Sequence, residues 1–164
     1  MDLELSKDAW LKATDACVLL RCLKLSAPET SKNRNLLRAF AANCGKHDTH
    51  SVDPDFIKKI EMVARQELSE QVLNPMREQV LTELDRYYHI DYDKDPSYSG
   101  VVEADLRPLE RMCDIDISWE ELCDVAMEMV TRVLRRNSIY PDRASINEAG
   151  LANLLRLWLP CPWD

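Results

Sequence analysis

The stretch Ser118 to Asn137, SWEELCDVAMEMVTRVLRRN, does most to limit what this chain can fold into. Ser118 followed by Glu121 is a capping box: the hydroxyl accepts from an early backbone amide, and the glutamate reaches back to the Ser118 amide. Glu120, Glu121 and Asp124 put negative charge in the first turns, and Arg132, Arg135 and Arg136 put positive charge in the last. That is the charge order a helix macrodipole favours. Leu122, Cys123, Val125, Ala126, Met129, Val130, Val133 and Leu134 recur at helical spacing and form a wide apolar stripe. A stripe this wide needs partners on more than one side, so this helix is expected at the centre of a helical array.

Helices are also what the rest of the chain offers as partners. Glycine occurs only three times in 164 residues, too few for the many turns of an all-β fold. Residues 7–25 read as one helix or, with Thr14 or Asp15 as cap, as two, the second running from Ala16 to Leu25. Asn33 to Asn43 predicts a helix with Leu36, Leu37, Phe40 and Ala41 inward, and Gly45 follows as a C-terminal cap. Asp53–Pro54 opens a helix to Leu73. Asn74–Pro75 repeats that signal and predicts a break before a helix to His89. Residues 91–100 are the longest loop, and Val101–Asp114 reads as a short helix interrupted near Pro108. Tyr140–Pro141–Asp142 makes a turn. Ser145 with Glu148 forms a second capping box that opens a last helix through Leu159. The expectation is an all-α, single-domain bundle or irregular array of six to eight helices.

Charge and cysteine usage narrow the function classes. Net charge is −8, carried by residues 51–164, while residues 1–50 hold eight basic against six acidic side chains. Such a surface repels nucleic acid and anionic membranes and admits basic protein partners. MDLELSKDAW lacks the apolar core of a signal peptide, and no apolar run approaches the length of a membrane span. Six cysteines are therefore expected as reduced thiols in a cytoplasm, packing as small hydrophobes.

Few residues suggest chemistry. Cys44, His47 and His50 have C-x2-H-x2-H spacing, which suits zinc. A fourth ligand is needed from Cys17, Cys22, Asp48 or further away, and a plain polar loop is the competing reading. Asp91, Asp93 and Asp95 imitate the start of a calcium loop, but Pro96 and Val102 stand where glycine and glutamate belong, so these carboxylates are expected to be solvated or to face a basic partner. No nucleophile–base motif and no phosphate-cradling glycine loop occurs. Arg132, Arg135, Arg136 and Arg143 are the nearest approach to a basic stripe, and helix-dipole compensation accounts for them. Trp158 continues an apolar face. Trp163, beyond two prolines, either folds back on the body or docks in a partner.

Four segments carry a likeness: DAWLKATD (8–15), VLLRCL (18–23), NRNLLRAFAANC (33–44) and, more loosely, FIKKIEMVARQELS (56–69). Together they resemble a family of uncharacterised helical proteins of planctomycete genomes, which open with W-L-x-x-T-D, a leucine pair and R-L-x-x-F-A-x-x-C. The likeness covers about the first 70 residues. It implies a bacterial helical domain and brings no catalytic residues.

The functional expectation is a non-enzymatic adaptor or small subunit without cofactor. It would meet a basic protein patch through acidic residues, with Asp91, Asp93, Asp95, Glu120, Glu121 and Asp124 as candidates and Trp163 as apolar anchor. Between Asp53 and Glu128 there are twenty acidic and eight basic residues. An acidic mimic of nucleic acid that occupies a basic groove, and a zinc-supported domain at Cys44, His47 and His50, are the alternatives.

Overall fold

Eight α-helices make up the computed structural model, which describes residues 6–48, 52–89 and 101–164. They are α1 (Lys7–Lys12), α2 (Ala16–Ser26), α3 (Ser31–Cys44), α4 (Pro54–Ala64), α5 (Leu73–Tyr88), α6 (Val101–Met112), α7 (Trp119–Ile139) and α8 (Glu148–Trp158). Among the described residues there is no strand, and no helix is long and apolar enough to cross a membrane.

Local chemistry sets most helix starts. Asp15 divides α1 from α2, accepting from the Cys17 amide at 2.8 Å and the Val18 amide at 3.4 Å. Thr30 caps α3. The Ser118 capping box forms in both directions, at 3.2 Å from the Glu121 amide to the hydroxyl and 3.3 Å from the Ser118 amide to the Glu121 carboxylate. The Ser145 box does not form. Asn147 caps α8 instead, accepting from the Gly150 amide at 2.8 Å, and the Ser145 hydroxyl pairs with Nδ1 of His47 at 2.7 Å. Asparagine caps as well as serine, and here it lies one residue before the helix.

The break expected at Asn74 lies earlier. After α4 the Glu67 amide donates to the Met62 carbonyl at 2.8 Å and the Gln66 amide to the Val63 carbonyl at 3.0 Å. Gln66 has φ of +62°. These are the two bonds and the left-handed residue of a Schellman motif, with glutamine where glycine is usual. A short 3₁₀ turn, Glu70–Val72, then leads into α5. Pro75 falls in the first turn of α5, where amides have no partner within the helix and nothing is lost. Pro108 sits inside an uninterrupted α6. Packing on α5 and α7 offsets its missing donor. Gly45 has φ of −59°, so it is not a left-handed cap. Its role is close approach, since a Cβ there would lie 2.5 Å from the Val52 Cγ2.

The most enclosed helix is α3 rather than α7. From Leu37 to Cys44 every residue of α3 is buried, between α4, α7 and α8 with α6 at one end. Ala39, Ala41 and Ala42 let those neighbours approach closely. Leu36, expected inward, is half-buried, and Arg38 points inward in its place. α7 lies along α2, α3 and α6. α5 packs on α6 and forms an outer layer, where Val80 and Leu84 are buried but stand outside the continuous core.

Candidate partner-binding cleft

The candidate acidic residues on α7 have partners within the chain. Glu120 and Asp124 both pair with Lys24 of α2, at 3.2 and 2.8 Å. Glu121 is taken up by the Ser118 cap. Asp91, Asp93 and Asp95 lie outside the described residues. Trp163 is half-buried against the core, and the terminus beside it is tied by a Lys7–Asp164 ion pair. Folding back is thus the arrangement Trp163 takes.

The proposed metal loop does not converge in its described part. Cys44 is fully buried in the core, and burial pushes its thiol far up. His47 turns the other way, to Ser145, and its imidazole is held below its ordinary value by burial, then by the charges of Lys46 and Arg136. His50 lies outside the described residues. Among the described residues no three His, Cys, Asp or Glu side chains gather as a metal would require. All six cysteines are free thiols. Burial pushes Cys113 and Cys123 up to about 12, which leaves them protonated and poorly nucleophilic at neutral pH.

The arginines near the end of α7 also serve the fold. Arg132 pairs with Asp48 at 3.0 Å and with Asp105. Arg136 donates to the His47 carbonyl at 2.6 Å, and the Arg143 guanidinium lies 5.9 Å from the Tyr140 ring centroid.

What remains is a cleft on the side away from α2 and α8. The turn at Gln66 sends α5 onto α6 while α4 stays on α3, so α4 and α5 diverge. The space between them, closed below by α6 and α7, is about 330 Å³. Its floor is apolar: Phe56 of α4, Met76 and Val80 of α5, Leu106 and Leu109 of α6, and Met129 of α7. Its rim carries Asp53, Asp55 and Lys59 on one wall and Glu83 on the other. Asp53 caps α4 by accepting from the Asp55 amide at 2.9 Å.

Compared with known proteins, the chain matches no family model, no curated protein and no solved structure. The cleft must be read from its own geometry.

Ion pairing shows which acidic residues the fold leaves over. Glu61 pairs with Lys46, Glu70 with Arg38, and Glu110 and Asp114 with Arg77. Asp55 and Glu83 have no ion pair within the described residues. Some of the acidity noted in the sequence is therefore taken up inside the fold; Glu67, Glu78, Glu128 and Asp142 elsewhere on the surface share with Asp55 and Glu83 the lack of an ion pair among the described residues. Phe56, Met76 and Val80 are legible in the sequence as inward positions of two helices. That those helices part, and leave the positions facing a shared opening, is not. The only local signal was Gln66, which has no distinguishing chemistry as a left-handed residue.

Proposed function

We propose that this chain is a non-enzymatic protein–protein interaction module, an adaptor or small subunit of a larger bacterial assembly, and that its partner docks in the cleft between α4 and α5. The observation that carries this reading is an apolar floor held open between helices and edged by Asp55 and Glu83, which have no ion pair among the described residues. A cleft of about 330 Å³ with an apolar floor and a few polar groups at its rim has the size and make-up of a binding pocket. Met76 and Met129 line the floor from within the core, and the half-buried Phe56, Leu106 and Leu109 supply its open apolar surface. The non-enzymatic part is supported by the shifted-up thiols and by the position of His47 and Ser145, which pair with each other away from the cleft. The alternative of an acidic mimic of nucleic acid draws less support, since so many of the described carboxylates are already paired with arginine or lysine.

The test is site-specific photo-crosslinking in the source cells. A photoreactive residue at Gln79, on the cleft wall, is expected to give a discrete adduct, while one at the exposed Asn153 of α8 is not. Equal adduct patterns from both positions would remove the cleft from the proposal.

A further inference from the structure

The following rests on the interaction reading and names the partner's chemistry. We infer that the cleft receives a short amphipathic α-helix with leucine-like residues on one face and lysine or arginine beside them. Three features of the cleft point to this occupant.

The first is backbone satisfaction. The walls are helices, whose own amides and carbonyls are paired along the helix, so they offer no strand edge for an extended peptide to join. An extended segment in this apolar trough would lose its water without gaining main-chain partners. A helix brings its backbone already satisfied.

The second is length. The lining runs from the cap Asp53 through Lys59 of α4 and from Met76 to Glu83 on α5. At 1.5 Å per residue each wall is about 10 Å long, or roughly two helical turns. That matches apolar anchors at i, i+3 or i+4, and i+7 of a docked helix.

The third is charge. Asp53, Asp55 and Glu83 stand at the rim against Lys59 alone, once Arg132 and Asp105 are set aside as a pair within the fold. A basic flank is therefore complementary, and it acts on recognition and encounter rate more than on affinity. An interface of two turns is small, so the complex is expected to be a readily reversible one.

The experiment uses the full chain, ¹⁵N-labelled, and two synthetic 16-residue peptides. One is a leucine/lysine amphipathic helix and the other its leucine/glutamate counterpart. The lysine peptide is expected to shift the amide signals of Phe56, Gln79, Val80 and Leu106, and to bind at least tenfold more tightly than the glutamate peptide. The double charge reversal Asp55→Lys with Glu83→Lys is expected to weaken it at least tenfold. The distant reversal Glu67→Lys should change binding less than twofold. Phe56→Ala, at a half-buried position, should also weaken it and should leave the far side of the spectrum unchanged, which checks folding.

Equal binding of both peptides, shifts centred elsewhere, or indifference to the paired reversal would each overturn the inference. So would saturation of the cleft by octylamine with no response to either peptide, which would mark a small-amphiphile site. If the Gln79 crosslink captures a protein that no basic helix competes with, the interaction reading stands and this inference falls. If Gln79 gives no adduct beyond Asn153, the underlying reading falls as well.

Discussion

Around α3 the chain closes on itself, and between α4 and α5 it stays open. In the closed region the buried polar side chains Arg38 and Asn43 are both bonded internally. Arg38 is fully buried, yet its Nε donates to the Met112 carbonyl at 2.9 Å, one terminal nitrogen to the Asp114 carbonyl at 2.7 Å, and the other to Asn35 at 2.6 Å and Glu70 at 2.9 Å. Asn43 donates to the Ala39 carbonyl and to Glu61. In the open region Asp55 and Glu83 have no ion pair among the described residues, and the half-buried Phe56, Leu106 and Leu109 face a cavity. Both regions are built of the same kind of helix. The difference is whether the carboxylates and apolar surface of a helix find their complement inside the chain. Substitutions in the closed region should therefore be felt as stability, and those in the cleft as binding.

The largest effect is expected at Arg38. Its guanidinium satisfies the Met112 carbonyl at the end of α6, which α6 cannot satisfy itself, and the Asp114 carbonyl just beyond it. Arg38→Ala leaves the buried Met112 carbonyl without its donor, empties a fully buried site and strips Glu70 of its ion-pair partner, which costs about 3 kcal/mol. At 2–4 °C per kcal/mol for a chain of this size, thermal melting should fall by about 6–12 °C. Arg38→Lys should recover less than half of that, since a single ammonium cannot fork to four acceptors. A melting temperature within 2 °C of the original in the alanine variant would show that the closed region tolerates an open network, and the contrast drawn above would lose its basis.

Arg38 also shows what the sequence hides. The helical period of α3 reads as one-sided, with Leu36, Leu37, Phe40 and Ala41 inward, and three of those four are buried. A charged residue inside is not legible, because the two backbone carbonyls among its acceptors lie 74 and 76 positions away. The α7 cap was legible because both of its partners lie within four residues. The same rule separates the sites. Glu120 and Asp124 stand out in the sequence as surplus charge, but their partner Lys24 is about 100 residues distant. The cleft was least legible, since it depends on the divergence of two helices and not on any motif.

A second expectation crosses from one region to the other. Gly45 ends α3, and a methyl group there would meet Val52, which lines the cleft. Gly45→Ala should cost about 2 kcal/mol through overpacking. Adding Val52→Ala should relieve about 1 kcal/mol of it, read as non-additivity in a double-mutant cycle of denaturant unfolding. Strict additivity would mean that the two residues do not meet and that the cleft wall is not braced by the closed core.

Ser118→Ala is expected to cost about 1 kcal/mol, the usual worth of an N-cap. It should leave peptide binding to the cleft unchanged, because the cap lies on the start of α7 and the cleft reaches only Met129 and Arg132 further along. Unchanged denaturant unfolding would place the start of α7 elsewhere. A binding change at equal stability would mean that the two regions communicate through this helix.

The smallest effect should be a gain. Gln66 holds a left-handed conformation that costs a side-chain-bearing residue about 1 kcal/mol or more, and glycine adopts it freely. Glycine also gives the unfolded chain more freedom, which offsets part of the benefit. Gln66→Gly should therefore stabilise by about 0.5 kcal/mol, seen as a small rise in the denaturant midpoint. The turn keeps the same two backbone bonds, Glu67 to Met62 and Gln66 to Val63, so the angle between α4 and α5 should persist and binding to the cleft should stay within twofold. If the glycine variant instead binds more weakly at equal or higher stability, the glutamine side chain is itself holding α4 and α5 apart. The opening of the cleft would then depend on that one side chain and not on the Schellman backbone. If the variant is destabilised, the left-handed residue is not where the chain turns, and the reason given for the divergence of the two helices fails with it.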